Sequence, residues 1–177
     1  MTLKLTSNQK KDKNGLTEEE FLRLYNPDKY PKPSLTADIC VFKDGKILLI
    51  KRGGHPYIDH WALPGGFANK NEELSQTARR ELQEETSLEL DDFTPVGVYS
   101  KPGRDPRGWV VSAAYGFDLK DREVKAEATD DAKETGWFEI IRDDELYFRK
   151  GDVILNKDDL AFDHYQIITD ALKVMGL

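Results

Sequence analysis

The stretch from Pro64 to Glu85 constrains this chain more than any other. Pro64, Gly65 and Gly66 make a loop that feeds into residues 72–85, a run free of Gly and Pro that reads as a helix. At about 100° per residue, Glu81, Glu84 and Glu85 fall within roughly 100° of arc. Three like charges at i, i+3 and i+4 repel one another. Leu74 and Ala78 project into the same sector, so these carboxylates are not all in bulk water. Partly buried like charges are costly unless a cation joins them. Carboxylate oxygens are the ligands of hard divalent ions such as Mg2+ or Mn2+. The backbone of Gly66 can approach the same point, because no side chain stands in the way. Arg80 can orient Glu72 or Glu84 through a charge-assisted bond. The competing interpretation is a solvated acidic helix face. The Pro-Gly-Gly loop, Glu72 and Arg80 around the glutamates weigh against it.

The rest of the chain supplies a sheet. Residues 35–42 and 46–51 are apolar, β-branched runs on either side of Asp44-Gly45, a strong hairpin signal. Residues 93–99, 109–119 and 136–140 read as further strands. Residues 163–175 form an amphipathic helix, with Ile167, Ile168, Ala171, Leu172 and Met175 on one face and Gly176 at its end. Strands with two well-separated helices predict an α/β fold, a mixed sheet covered by helices. Ahead of this core, residues 1–15 are polar and lysine-rich and read as a loose tail. Thr17 and Glu20 form a capping box for a short helix that Asn26-Pro27 stops. The expected organisation is a tail over 1–15, a helix and connector over 16–33, and one domain over 34–177.

Charge and cysteine content exclude several classes of function. Lys and Arg number 26 against 33 Asp and Glu, a net charge of −7, which argues against a general nucleic-acid binder. Phosphate-bearing small ligands stay allowed, because a metal ion reverses the local sign. The single cysteine, Cys40, lies in an apolar strand pattern and reads as an inert buried thiol, consistent with a reducing cytoplasm. No signal peptide precedes the core, and no apolar run approaches the roughly 18 residues of a membrane span.

Gly66, five residues, Glu72, seven residues and then Arg80-Glu81-Leu82-Gln83-Glu84-Glu85-Thr86-Ser87-Leu88 resembles the Nudix box, the signature of the Nudix hydrolases. The pattern spans 23 residues with many fixed positions. Ser87 stands where the box has glycine, at a helix exit that favours φ > 0. The resemblance implies an α/β/α sandwich with a mixed sheet between helices. It also implies hydrolysis of a nucleoside diphosphate linked to another group. Glu81, Glu84 and Glu85, with the backbone of Gly66, would hold Mg2+ or Mn2+, and Arg80, Glu81 and Glu85 would be catalytic. Metal ions neutralise the diphosphate and acidify a water that attacks phosphorus in line.

Two other segments narrow the substrate. The loop over 100–109 carries Arg104 and Arg107, and Ala161-Phe162-Asp163-His164 opens the last helix. Both resemble the branch of the family that contains ADP-ribose pyrophosphatases and ADP-ribose-sensing regulators. Arg52, Arg104 and Arg107 are candidates for the phosphates, and Trp61 or Trp109 for stacking on adenine or ribose. For the general base, a box glutamate (Glu85 or Glu81) competes with an acid after the long strand, of which Asp130, Asp131 and Glu134 qualify. His164 reads as a structural hydrogen-bonder, and His55 and His60 receive no role. The leading expectation is hydrolysis of ADP-ribose to AMP and ribose 5-phosphate. The alternatives are another nucleotide (a nucleoside triphosphate, NADH or a dinucleoside polyphosphate) or a sensor that binds ADP-ribose without cleaving it. Regulators of this branch carry a DNA-binding module after the domain. The chain stops at Leu177 with the box glutamates intact, so an enzyme is the expectation. Its partner is then a small nucleotide, with neither nucleic acid nor membrane. Related proteins pair as homodimers, and the helix near 17–25 is a candidate for that role, packing on its own domain being the alternative.

Overall fold

The structure is a computed structural model that describes residues 10–120 and 132–177. The chain divides into two units, Met1–Lys32 and Pro33–Leu177. In the first, α1 (Glu18–Leu24) begins at Thr17, whose hydroxyl accepts the Glu20 amide while the Glu20 carboxylate accepts the Thr17 amide. The capping box thus closes as its four residues dictate.

The second unit is built on a nine-stranded sheet. β1 (Ser34–Lys43) and β2 (Lys46–Arg52) form the hairpin. Asp44 and Gly45 both take positive φ (49° and 71°), the twist a two-residue turn requires. Two short strands follow, β3 (Trp61–Ala62) on β2 and β4 (Gly65–Phe67) on β1. The remaining strands are β5 (Thr94–Tyr99), β6 (Val110–Asp118), β7 (Ala132–Arg142), β8 (Leu146–Lys150) and β9 (Val153–Leu155). The path runs β5-β6-β1-β2-β7-β8-β9. Among the described strands β1 and β6 pair parallel and the other strand pairs are antiparallel, while a single parallel bridge joins Trp61 to Leu160.

Helices α2 (Leu74–Thr86) and α3 (His164–Met175) cover the two faces. Side chains alternate across a strand, so β1 and β2 feed both layers. Ala37, Ile39, Val41 and Leu48 pack with Ala78 and Leu82 of α2. Cys40, Phe42, Ile47 and Leu49 pack with Ile167, Ile168, Ala171 and Leu172 of α3. Coverage on both sides is why these strands read as continuous apolar runs. The mixed sheet between helices matches the expected α/β class. Burial of Cys40 pushes its thiol well above the usual range, which leaves it inert.

Several boundaries differ from the sequence reading. α2 starts at Leu74 with Glu73 as cap, not at Glu72. β7 extends well beyond residues 136–140. β3, β4, β8 and β9 have 2, 3, 5 and 3 residues, too short for a period-2 pattern to stand out. At the helix exit Ser87 adopts the left-handed conformation (φ 59°, ψ 13°), and its amide donates to the Gln83 carbonyl. Serine therefore keeps the exit that glycine would take.

Candidate active site

β4 and α2 set the geometry. β4 lies antiparallel on β1, with Gly65 opposite Asp38 and Gly66 opposite Ala37. A Cβ on Gly65 (φ 155°) would meet the Ala37 carbonyl and Asp38, and one on Gly66 would overlap the Glu81 carboxylate. Only glycine lets the chain pass between β1 and the glutamate face of α2.

Arg80 organises that face. Its Nε and Nη2 donate to the two oxygens of Glu72 at 2.9 and 3.0 Å. Its Nη1 donates to Glu81 at 2.7 Å and to Glu84 at 3.0 Å, and Nη2 also donates to the Phe67 carbonyl at 3.0 Å. All five guanidinium N–H groups are thereby engaged. The bidentate partner Arg80 holds the Glu72 carboxyl down at about 2. Glu72 also accepts the Asn69 amide and the Thr77 hydroxyl, which docks the approach loop to the helix start.

Glu85 points the other way and accepts the Gly65 amide at 2.9 Å. Burial pushes its carboxyl up to about 8, with the charges of Glu81 and Asp38 adding to the rise, while the Gly65 amide and Arg52 oppose it. Burial also raises Glu81. Among the described residues no three His, Cys, Asp or Glu side chains are gathered at metal-holding spacing: Glu81 and Glu84 turn to Arg80, and Glu85 to Gly65. The donors nonetheless suit a hard divalent cation. They are carboxylate oxygens, two of them on desolvated groups that resist ionisation without a counter-charge, beside a glycine backbone with no Cβ in the way.

A cavity adjoins this face, lined by Gly65 and Gly66 together with Arg52, Arg104, Arg107 and Asp38. The side chain of Arg104 is only 4% exposed. It is tied to Asp163 through Nε at 2.8 Å and Nη2 at 2.6 Å, with Asp38 3.8 Å away. Arg107 is held by buried Asp105, whose carboxylate accepts from Nε at 3.0 Å and Nη2 at 2.7 Å. Arg52 donates Nε to the Pro56 carbonyl at 2.9 Å. Burial and the nearby charge of Arg107 lower its affinity for its proton. His164 also lines the cavity. Its Nδ1 accepts the Leu63 amide at 2.9 Å, so the proton sits on Nε2, 3.6 Å from Asp38. Burial holds this imidazole below its ordinary value and hence neutral.

Other sequence candidates lie elsewhere. Trp61 is buried in the core, edge-on to Phe138 at 4.6 Å, so its indole is a packing element rather than a face of the cavity. Trp109 is exposed at the start of the β6 segment. Glu134 pairs with Lys150 at 2.8 Å on β7 and does not line the cavity. Asp130 and Asp131 fall outside the described residues. The sequence reading passed over Asp38 and Ser112, which share a short hydrogen bond. A carboxylate inside the apolar run of β1 was the available signal, since a buried charge needs partners. Phe67 and Phe162 also line the cavity; the sequence marks the segment that holds Phe162 but assigns neither ring a role.

Comparison with known proteins agrees with this architecture. Residues 32–157 match the NUDIX domain. The chain is 40% identical over 144 residues to an ADP-ribose pyrophosphatase of Methanocaldococcus jannaschii, spanning 81% of this chain and 76% of that protein. Its structure is similar to that of a MutT/nudix family protein from Enterococcus faecalis (TM-score 0.81, 36% identity, 91% of this chain and 70% of the other). It is also similar to the NUDIX domain of Shewanella oneidensis NrtR complexed with ADP ribose (TM-score 0.72, 29% identity, 90% and 99%). With the box glutamates on α2, the glycine approach on β4 and a domain match over most of its length, the chain belongs to the Nudix family.

Proposed function

We propose that this protein is a Mg2+- or Mn2+-dependent hydrolase that cleaves ADP-ribose to AMP and ribose 5-phosphate. The observation that carries the reading is the half-buried pair Glu81 and Glu85 beside Gly65-Gly66, next to a cavity with three arginines. Glu81, Glu84, Glu85 and the Gly66 carbonyl would hold the metal, which supplies charge neutralisation of the diphosphate and acidification of water. Arg52 and Arg107 receive the diphosphate. Arg104, 4% exposed and paired with Asp163 through Nε and Nη2, shapes the wall through that pair. Arg80 keeps Glu81 and Glu84 oriented from the outer side. The oxygen of water adds to one phosphorus as the bridging oxygen leaves with the other phosphate, and a box carboxylate, Glu81 or Glu85, takes the water's proton. No described helix is long and apolar enough to cross a membrane. With net charge −7 and a lone buried thiol, we place the protein in the cytoplasm acting on a free nucleotide.

The test is product analysis after incubation with Mg2+ or Mn2+ and, in parallel, ADP-ribose, NADH, diadenosine polyphosphates and 8-oxo-dGTP. AMP and ribose 5-phosphate from ADP-ribose, abolished by EDTA, are expected. Faster cleavage of another compound overturns the substrate assignment. The similarity to an NrtR domain complexed with ADP ribose favours one second reading, a sensor. ADP-ribose that stabilises the protein without being cleaved would establish it.

A further inference from the structure

Two aromatic residues occupy the left-handed region, Tyr57 (φ 61°) and Phe162 (φ 55°). Bulky side chains avoid this conformation, and it persists only where the surroundings over-determine it. Tyr57 lies in the loop between β2 and β3, and Phe162 in the turn before α3, yet their rings meet at 4.8 Å with an interplanar angle of 61°. Two strained backbones from distant segments thus fix one aromatic pair. The Ala161 amide, bonded to the Trp61 carbonyl at 2.8 Å, fastens the same turn to β3.

The Phe162 ring faces two cations. The Arg52 guanidinium carbon lies 5.0 Å from its centroid and that of Arg107 lies 5.4 Å away. Both are within the range of cation–π attraction. Arg107 also lies over Phe67 at 4.7 Å, so two rings hold it. The guanidiniums come from the end of β2 and from the β5–β6 loop. Arg52 is anchored through Nε by the Pro56 carbonyl and Arg107 through Nε and Nη2 by Asp105, which leaves Nη1 of Arg107 unclaimed by that carboxylate. The two guanidiniums repel: burial first, and then the charge of Arg107, weaken the proton affinity of Arg52, while Arg107 keeps 39% of its side chain exposed. A shared ring, negative on its face, offsets that cost and sets both cations beside Gly65-Gly66 in one cavity.

We propose that Phe162 is a positioning residue, its ring locked by the left-handed turn and by Tyr57 so that Arg52 and Arg107 are held together to receive the substrate's diphosphate. This rests on the diphosphate-hydrolase reading above. It adds a function for strain that neither fold nor metal site requires.

The probe is inorganic pyrophosphate, titrated calorimetrically into the full chain in EDTA, so that neither turnover nor metal enters. Phe162→Leu and Phe162→Asn should each weaken binding about three- to tenfold, the loss expected for cation–π contacts to one half-buried and one exposed guanidinium. Phe162→Asn preserves the left-handed turn, which asparagine adopts readily, and so separates ring from backbone. Phe162→Tyr should restore binding. With Arg52→Gln and Arg107→Gln already present, Phe162→Leu should have no further effect. In steady state Phe162→Leu should raise KM for ADP-ribose and leave kcat near the native value. Native affinity in both Phe162→Leu and Phe162→Asn, with affinity lost in the arginine variants, overturns the positioning role. Native affinity in the arginine variants overturns the diphosphate seat and the proposal with it. Resistance of ADP-ribose to hydrolysis, with the pyrophosphate pattern intact, removes only the substrate assignment and supports the arginine seat.

Discussion

Glu85→Gln should make the metal-free protein more stable while abolishing its activity. Burial raises the Glu85 carboxyl from 4.5 to about 8. A carboxyl whose folded value exceeds its unfolded value takes up a proton on folding. Its contribution to stability is therefore greatest below about 4.5, falls as the pH rises, and is most adverse above about 8. At pH 7 the unfolded side chain is ionised and the folded one mostly protonated. The penalty is that of protonating an ordinary carboxylate at pH 7, about 3 kcal/mol at roughly 1.4 kcal/mol per pH unit. Glutamine has the same shape, and its carbonyl can accept the Gly65 amide in place of the carboxylate, but it carries no charge to desolvate. Allowing for relaxation of the site, the variant should gain about 2–3 kcal/mol in EDTA, a Tm rise of roughly 5–10 °C for a chain of this size. The assay is thermal and urea unfolding in EDTA from pH 5 to 8. Wild-type stability should decline across that window relative to a flatter Glu85→Gln profile, and added Mg2+ should stabilise the wild type alone. Superimposable pH profiles for the two proteins, or a variant that Mg2+ stabilises equally, would refute the reasoning.

Three other perturbations test neighbouring parts of the site. Gly66→Ala places a Cβ onto the Glu81 carboxylate; Mg2+ titration should show weaker binding and kcat should fall by at least tenfold. Ser87→Gly removes the left-handed cost at the helix exit and, after the extra flexibility of glycine, should stabilise the protein by roughly 0.5–1 kcal/mol in urea unfolding with activity unchanged. Trp61→Phe shrinks a buried core side chain and should lower stability by about 1–3 kcal/mol while KM for ADP-ribose stays at the native value; a raised KM would return Trp61 to the substrate.

Local chemistry was legible in the chain itself. Asp44-Gly45 specifies a two-residue turn, Thr17 and Glu20 close a capping box, and the spacing of Glu81, Glu84 and Glu85 puts them on one side of a helix whatever surrounds it, because these outcomes depend on residues within one turn or one hairpin. The pairings were not legible. Arg104 finds Asp163 across 59 residues, and Leu63 finds His164 across 101. The segment holding Phe162 stands out in the sequence, but its ring has no assigned role until the fold brings two arginines to it. Periodicity carries which face a side chain takes, but a contact between distant segments depends on strand order and register. Those are decided only when β4 slides between β1 and α2 and the turn before α3 closes over the same cavity.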